Sequence, residues 1–497
     1  MLKKSHQAML SASVALSVLL PNSVFAEQVR DNFFWIGQIN KASLVINTEG
    51  GLLDMADAPK FAKAIDKVLQ DGQKPGAKRP QSVITFEPLL VEEAGSGITK
   101  LHAGRSSQDM LSTSGTAMLR EDLLALQTAV NEVNATLLQM AEKNRNVMVP
   151  GYTNGVAAQP NSYGHYLLAF ASGFDRDSER LREYYTRLDR SPMGTTVMNG
   201  TSWPLNRYKM AALLGFETIA YNAYDAVQIY TPEKAVEAGY VCTSLALHIG
   251  AFVEDVMQQY AQPHPWILLQ EGGGNTYVSS AMPQKRNPGI LNRARASAGT
   301  ILGMANGTVY RAHNVPPGMP DSHSGVNAMV KETTKLVRDF NKILLALRIE
   351  PERSLTELNL DWTASQELAD VLMRKYNVPF RVGHHFASEL VGFARQHGYT
   401  PLTIPYADAQ RIYTQVVGND AASPLPMDEA EFFATMNPKA IIATRATVGG
   451  PQPAELSKML AMEQDKLAKR QAWVKARQSK LAKAEAKLET EFAKYLK

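Results

Sequence analysis

Leu119, Leu123, Leu126, Val130, Val133, Leu137 and Met140 follow one another at alternating gaps of four and three residues. That rhythm keeps one stripe of a helix apolar, and a stripe this long seeks partner helices. Further long helical patterns run over Asn206 to Val227, Pro232 to Ala261, Pro288 to Tyr310 and Val326 to Ile349. Several exceed the usual helix length of about 11–12 residues. Alternating apolar and polar runs of the kind strands require are scarce. The pattern predicts a mainly α chain built around a bundle of long helices.

Between these helices lie three segments of loop composition, His102 to Met110, Pro150 to Pro160 and Glu271 to Pro288. A fourth break, His313 to Gly325, carries three prolines. Loops held by rigid helices are natural places for chemistry. Around Val378 to Pro426 the pattern becomes short-ranged and loop-rich, suggesting a small third domain. Ala454 to Leu496 has neither Gly nor Pro, and Leu460, Leu467, Val474, Leu481, Leu488 and Tyr495 recur every seven residues. The companion seam, Glu463, Arg470, Arg477, Ala484 and Glu491, is mostly charged, so a helix lying along a neighbour is expected rather than a coiled coil.

The first 26 residues follow another rule. Lys3 and Lys4 precede an uncharged run from Met9 to Leu20, and Ser23-Val24-Phe25-Ala26 offers small residues for cleavage. This is the pattern of a secretory signal peptide, too short to span a bilayer of about 30 Å. It predicts a periplasmic or secreted protein without a membrane anchor after cleavage. The expected organisation is a signal peptide over 1–26, an N-terminal domain over 27–112, a central bundle over 113–365 and a C-terminal domain over 366–497.

Composition narrows the function. Of 497 residues, 45% are hydrophobic and 20% charged, which excludes a disordered or fibrous chain. The net charge of +4 comes from the segment after Glu455, leaving the rest near neutral, so a nucleic-acid partner is not expected. Cys242 is the only cysteine, which excludes an intramolecular disulfide and a cysteine metal site. Neither a dinucleotide-binding glycine motif, nor a phosphate-binding lysine loop, nor a nucleophile elbow occurs. His313 and His323 have only Asp321 as a nearby carboxylate and read as ordinary loop histidines, so no metal is expected. His165 sits in an apolar helical run and reads as a satisfied histidine.

Val278-Ser279-Ser280-Ala281-Met282-Pro283-Gln284-Lys285-Arg286-Asn287-Pro288 resembles the signature loop of the fumarase/aspartase superfamily. Pro150-Gly151-Tyr152-Thr153, with Ala158-Gln159-Pro160 and Gly164-His165, is similar to its second active-site segment. His102-Ala103-Gly104-Arg105-Ser106-Ser107-Gln108-Asp109 is similar to the first, in the form found in argininosuccinate lyases. All three occur in the superfamily's order.

The resemblance implies a three-domain helical subunit, a homotetramer with a 20-helix core, and active sites assembled from three subunits. It implies Ser279 as the base, with Ser280 as fallback, removing a proton alpha to a carboxylate to give an aci-carboxylate. A neutral serine does this only if neighbouring donors stabilise its oxyanion. Lys285 and Asn287 are implied to hold the substrate carboxylate, with Arg105, Ser106 and Thr153 as further contacts. Asn154, Gln159 and Tyr310 complete the expected substrate pocket. No cofactor is implied, because the carboxylate accepts the electrons.

Departures from the family pattern direct the reading. Val278 stands at the usual glycine of the signature loop and would be strained if the backbone there had positive φ. Asn154 replaces the histidine of argininosuccinate lyases, and an amide cannot serve as a general acid. An amine that leaves as an ammonium-type group does not need one, which favours carbon–nitrogen over carbon–oxygen cleavage. Ser107-Gln108 stands where argininosuccinate lyases carry Arg-Asn, which removes a bidentate carboxylate clamp. The expected activity is elimination of an amine from an N-substituted aspartate, similar to that of ethylenediamine-disuccinate lyase, to give fumarate. The alternatives are a carboxymuconate-type cycloisomerase and a catalytically silent dicarboxylate-binding relative.

Overall fold

The computed structural model describes residues 29–318, 325–418 and 424–497. The expected signal peptide, 1–26, lies outside these residues, as do 319–324 of the proline-rich break.

The chain begins with α1 (Asn32–Glu49), α2 (Ala58–Asp71) and α3 (Val83–Ala94), followed by a 3-10 turn at Ser96–His102. Asp31 caps α1 by accepting the Phe34 amide, and from Phe33 to Thr48 every residue of this helix is buried. α1 therefore forms the axis of a first hydrophobic core, which also takes in Phe61, Phe86 and Leu101.

The central bundle starts with α4 (Ser107–Lys143), whose 37 residues give it a length of about 55 Å. The apolar seam lies on this helix, buried from Leu119 to Leu137, with Met140 packed at its edge. A hairpin of β1 (Met148–Thr153) and β2 (Val156–Ser162) leads into α5 (Tyr163–Leu188). Then come β3 (Arg190–Ser191), α6 (Arg207–Leu213) and β4 (Thr218–Ile219). Asn206 to Val227 is thus not the single helix its pattern suggests. Gly215 has φ 75°, and a side chain there would meet Leu481 at 3.1 Å, so the helix ends and the chain turns.

After a π-turn at Asp225–Ile229 the bundle resumes with α7 (Tyr230–Gln259) and β5 (Ile267–Leu269). β6 (Tyr277–Val278) and β7 (Arg286–Asn287) precede α8 (Gly289–Ala312) and α9 (Val326–Ala346). β8 (Leu347–Ile349) pairs antiparallel with β5. Phe174, Phe252 and Phe340 tie α5, α7 and α9 together with ring centroids 5.2–5.6 Å apart. Each such pair contributes about 0.5–1.5 kcal/mol beyond the area it buries. Cys242 is enclosed on α7, and burial pushes its thiol up to about 11.

α10 (Pro351–Leu360) packs on β1, and a third core is formed by α11 (Ser365–Tyr376), α12 (Phe380–His397), α13 (Tyr406–Val417), α14 (Glu429–Thr435) and α15 (Pro438–Thr444), chiefly through Leu368, Phe386 and Phe432. The described stretch after Val378 is therefore largely helical rather than loop-rich; two of its prolines, Pro379 and Pro405, stand at the starts of α12 and α13, and Pro401, Pro424 and Pro426 lie in the connections.

The last helix, α16 (Pro453–Ala493), returns along α4 and α1. Its seven-residue stripe is buried against them, and the charged companion seam is buried in part: Arg470 pairs with Asp175, and Lys466 reaches the same carboxylate at 2.9 Å.

Two opposite ends of the bundle follow. At one end lie the start of α4, the start of α7 and the start of α9: Lys234 Nζ donates to Thr116 Oγ1 at 3.1 Å, and Asn327 Nδ2 donates to Asp122 Oδ2 at 2.9 Å. At the other lie the end of α4, the β1–β2 hairpin and the β5–β8 pair.

Candidate active site

The signature segment is an exposed hairpin. Gly272, Gly273 and Gly274 all have positive φ, between 59° and 82°, a run that residues with a Cβ would resist. They swing the chain out from β5 so that Tyr277 pairs with Asn287 and Val278 with Arg286. The base of the hairpin is held by Arg286 Nε donating to Glu271 at 2.8 Å and by Arg293 donating to the Gly274 carbonyl at 2.7 Å. Val278 is in the extended β6 strand, 59% exposed and without positive φ, so the strain expected of valine there does not arise.

At the hairpin tip the Ser279 amide donates to the Lys285 carbonyl at 3.3 Å. Ser279 Oγ accepts the amides of Met282, at 3.2 Å, and Ala281, at 3.4 Å. Two backbone dipoles directed at one hydroxyl oxygen stabilise negative charge on it, which is what a serine base requires. Ser280 is exposed and makes no such bonds among the described residues. Lys285 is exposed and has no ion-pair partner among the described residues, so its ammonium is available to an anion. Asn287 Nδ2 makes a long 3.4 Å bond to the Tyr277 carbonyl.

The second segment is also a hairpin. Asn154 (φ 54°) and Gly155 (φ 75°) are its two turn residues, the left-handed pair that a tight β-turn requires and that asparagine and glycine accept most readily. Thr153 and Asn154 stand exposed at its tip. Tyr152 anchors it from below, donating to Glu357 at 2.5 Å and accepting from Trp266 and Gln259 at 3.2 and 3.3 Å. Burial, then the Glu357 carboxylate, holds this phenol well above its ordinary range. Gln159 donates to Gln366 at 2.5 Å, which ties the hairpin to α11. Both ring nitrogens of His165 are engaged, by Asn161 and by the Gly449 carbonyl, each at 2.9 Å.

The first segment is built into the N-terminal core. Ser106 caps α4 in a capping box with Asp109, whose second oxygen accepts the amides of Gly194 and Thr196 at 3.2 and 3.0 Å. Arg105, expected at the substrate carboxylate, points inward instead. It donates to Ser43 Oγ at 2.9 Å and Asn40 Oδ1 at 2.8 Å, and burial pushes it down to about 10. In this chain it fastens the segment to α1. Ser107 and Gln108 occupy the first turn of α4, with Gln108 exposed.

Two of the three segments share an end of the bundle within one chain. The second and signature hairpins share the end of the bundle where α7 finishes, whereas Ser106 begins α4 at the other end, about 55 Å away along that helix. Tyr310, 77% exposed, lies near the far end of α8, about 31 Å from the signature hairpin along the axis. Sequence reasoning missed Glu357, an exposed-type residue on a short helix with no motif around it. It also missed the amides of Ala281 and Met282, since a backbone donor has no letter of its own.

Residues 55–303 match the family described as Lyase, and residues 362–443 match the family described as Argininosuccinate lyase C-terminal. The argininosuccinate lyase of Methanoculleus marisnigri is 29% identical over 479 residues, covering 90% of this chain and 91% of its own. Among solved structures, EDDS lyase in complex with formate superposes with a TM-score of 0.82 at 23% identity, covering 94% of this chain and 92% of that one. A variant of EDDS lyase with bound fumarate gives a TM-score of 0.81 at 23% identity, with the same shares covered. The chain belongs to the lyase family of the fumarase/aspartase superfamily, on its argininosuccinate lyase-like branch.

Proposed function

We propose that the protein is a carbon–nitrogen lyase that eliminates an amine from an N-substituted aspartate to give fumarate. The observation that carries this reading is the pair of amides directed at Ser279 Oγ in a hairpin that also presents the free ammonium of Lys285. Ser279 takes the proton from the carbon next to the carboxylate, and the electron pair of that C–H bond passes onto the carboxylate as an aci-carboxylate. When the pair returns, it forms the double bond and the C–N bond breaks. Lys285 offsets the charge on the carboxylate while it exists. The amine departs with the proton it already carries as an ammonium, which suits Asn154 in place of an acid.

A complete site in this reading needs a second copy of the chain, because the first segment lies at the far end of the bundle from the other two. The exposed face of α8 supports assembly. Gly299 and Gly303 lie on its open side with no atom within 4 Å of where a Cβ would stand, although glycine costs about 1 kcal/mol in a helix interior. Tyr240 and Leu247 on α7 and Leu345 on α9 are likewise exposed on the long helices. A homotetramer whose bundles pack side by side would cover these faces.

The test is fumarate production, followed by ultraviolet absorbance, from a set of N-substituted aspartates, with the reverse addition of amines to fumarate followed by mass spectrometry. Turnover in the wild type that is lost in Ser279→Ala supports the lyase. Dicarboxylate binding without turnover in either direction would overturn it in favour of a silent relative, and a lactone product would favour a cycloisomerase.

A further inference from the structure

A cleft of about 420 Å3 opens at the end of the bundle that carries the first segment. It lies among the starts of α4, α7 and α9, and its polar lining includes Gln108, Ser112, Thr231, Lys234 and Asn327, with Asn32 and Gln81 beside them. Lys234 is unusual there. Its side chain is only 9% exposed, and its ammonium has one hydrogen bond, to Thr116 Oγ1 at 3.1 Å. Burial pushes it down to about 8, with no carboxylate of the described residues offsetting the effect. Of the other deeply buried cations, Arg120 and Arg470 each face an aspartate, Asp189 and Asp175, and Arg105 has two neutral acceptors in Ser43 and Asn40, whereas Lys234 has Thr116 and an open cleft. A buried ammonium without a counter-ion is costly unless a ligand supplies one.

The neighbouring groups agree. Ser112, also on this cleft, has a buried Oγ with no hydrogen-bond partner among the described residues. Gln108 belongs to the first active-site segment, at the place where argininosuccinate lyases carry Arg-Asn. The cation missing from that loop thus has a counterpart on α7, across the same cleft. Thr231 Oγ1 and Asn327 Nδ2 already donate, to the Val227 carbonyl and to Asp122, but Gln108 and Ser112 add donors to the Lys234 ammonium and the lining holds no acidic side chain among the described residues, so a carboxylate satisfies it better than a cation or an apolar group.

We infer that the cleft around Lys234 is an anion subsite that takes a carboxylate on the amine half of the substrate, so that the group released is an aminocarboxylate rather than a simple amine. This rests on the lyase reading above. Lys234 then sets which amine is accepted, while the signature hairpin of another copy holds the half that becomes fumarate.

Matched amines test it. β-Alanine and propylamine have the same chain length with and without a carboxylate, as do 4-aminobutyrate and butylamine. Each is added to fumarate by the wild type, Lys234→Met and Lys234→Arg, with KM and kcat measured separately. The wild type is expected to prefer the carboxylated member of at least one pair by tenfold or more in kcat/KM. Lys234→Met should abolish that preference through KM for the acid, leaving kcat within about threefold and the simple amine unaffected; Lys234→Arg should restore part of it.

No preference in the wild type overturns the inference. So does an effect of Lys234→Met on KM for fumarate with every amine, which would place the succinyl carboxylate at Lys234. Equal loss on both members together with a lowered Tm would mark a structural lysine and also overturn it. If no amine adds to fumarate at all, the lyase reading fails, and calorimetric titration still decides the subsite. N-(2-carboxyethyl)aspartate should bind the wild type at least tenfold more tightly than Lys234→Met, with N-propylaspartate binding the two alike; equal affinities for the carboxyethyl compound overturn it.

Discussion

Ser279 Oγ lies 3.2 Å from the Met282 amide nitrogen, inside a turn closed by the Ser279 amide and the Lys285 carbonyl. One bond closes the hairpin tip, and the Met282 amide within that tip polarises the hydroxyl. A loop-capping serine and a serine prepared for deprotonation are one arrangement here, because each needs backbone N–H groups converging on Oγ.

Ser279→Ala should therefore lower fumarate formation by at least a thousandfold while leaving Tm within a few degrees, since the hairpin is exposed and contributes little to any core. Ser280→Ala should lose less than tenfold. Steady-state rates and thermal melts of the two variants check this, and a larger loss in Ser280→Ala would exchange their roles.

Lys285 presents its charge without an ion pair among the described residues, so its removal breaks no such contact there. Lys285→Met should reduce kcat/KM by about a hundredfold or more, the range found when one donor to a developing anion is removed. Lys285→Arg should recover part of the loss. Unfolding midpoints in urea should be unchanged for both.

The sequence made the bundle and the three motifs readable for different reasons. The seam from Leu119 to Met140 is a local pattern, and its burial followed from periodicity alone. The end of α6 was marked locally by Gly215, whose φ of 75° stops a helix, and was masked by the apolar run that continues past it. In the site, the order of motifs was legible, while the separation of the first segment from the other two depends on the length of α4. Arg105 matched a motif position, yet what its guanidinium touches is set by Asn40 and Ser43 on α1, and no spacing rule connects them.

Arg105 supplies a prediction of the opposite kind from Lys285. Arg105→Lys keeps the charge but cannot reach both Asn40 and Ser43 with a planar fork, so buried acceptors are left unpaired. The expected cost is about 1–3 kcal/mol of stability, with specific activity of the folded protein within about threefold of wild type. Urea titration beside activity measured well below the midpoint separates the two. Normal stability with kcat/KM reduced a hundredfold would restore Arg105 to substrate contact.

Gly303 tests the assembly. In the single chain a side chain at Gly303 meets nothing within 4 Å, and leucine improves helix propensity by roughly 1 kcal/mol. Gly303→Leu should leave the helical circular dichroism of the subunit intact, yet reduce the tetramer fraction in sedimentation velocity and activity in proportion. A fully active tetrameric variant would show that this face of α8 is not where copies meet.

Lys234 ties stability to pH in a direction that can be worked out in advance. Its folded-state value, about 8, lies below the ordinary lysine value of 10.5, so folding favours the neutral amine. Below about pH 8 the side chain is charged in both states, and the folded protein bears the full cost of enclosing it. Between about pH 8 and 10.5 the unfolded chain binds more protons than the folded one, so this lysine's contribution to stability rises with pH. Lys234→Met removes the charge without leaving a large cavity and should be more stable than wild type at pH 7, by on the order of 2–3 kcal/mol from about 1.4 kcal/mol per pKa unit. The gap should narrow steadily as the pH approaches 10, a trend that paired denaturation curves at several pH values measure directly. A gap of constant size would mean that Lys234 keeps its proton in the folded protein, and a variant less stable at pH 7 would mean that its bond to Thr116 outweighs the cost of burial.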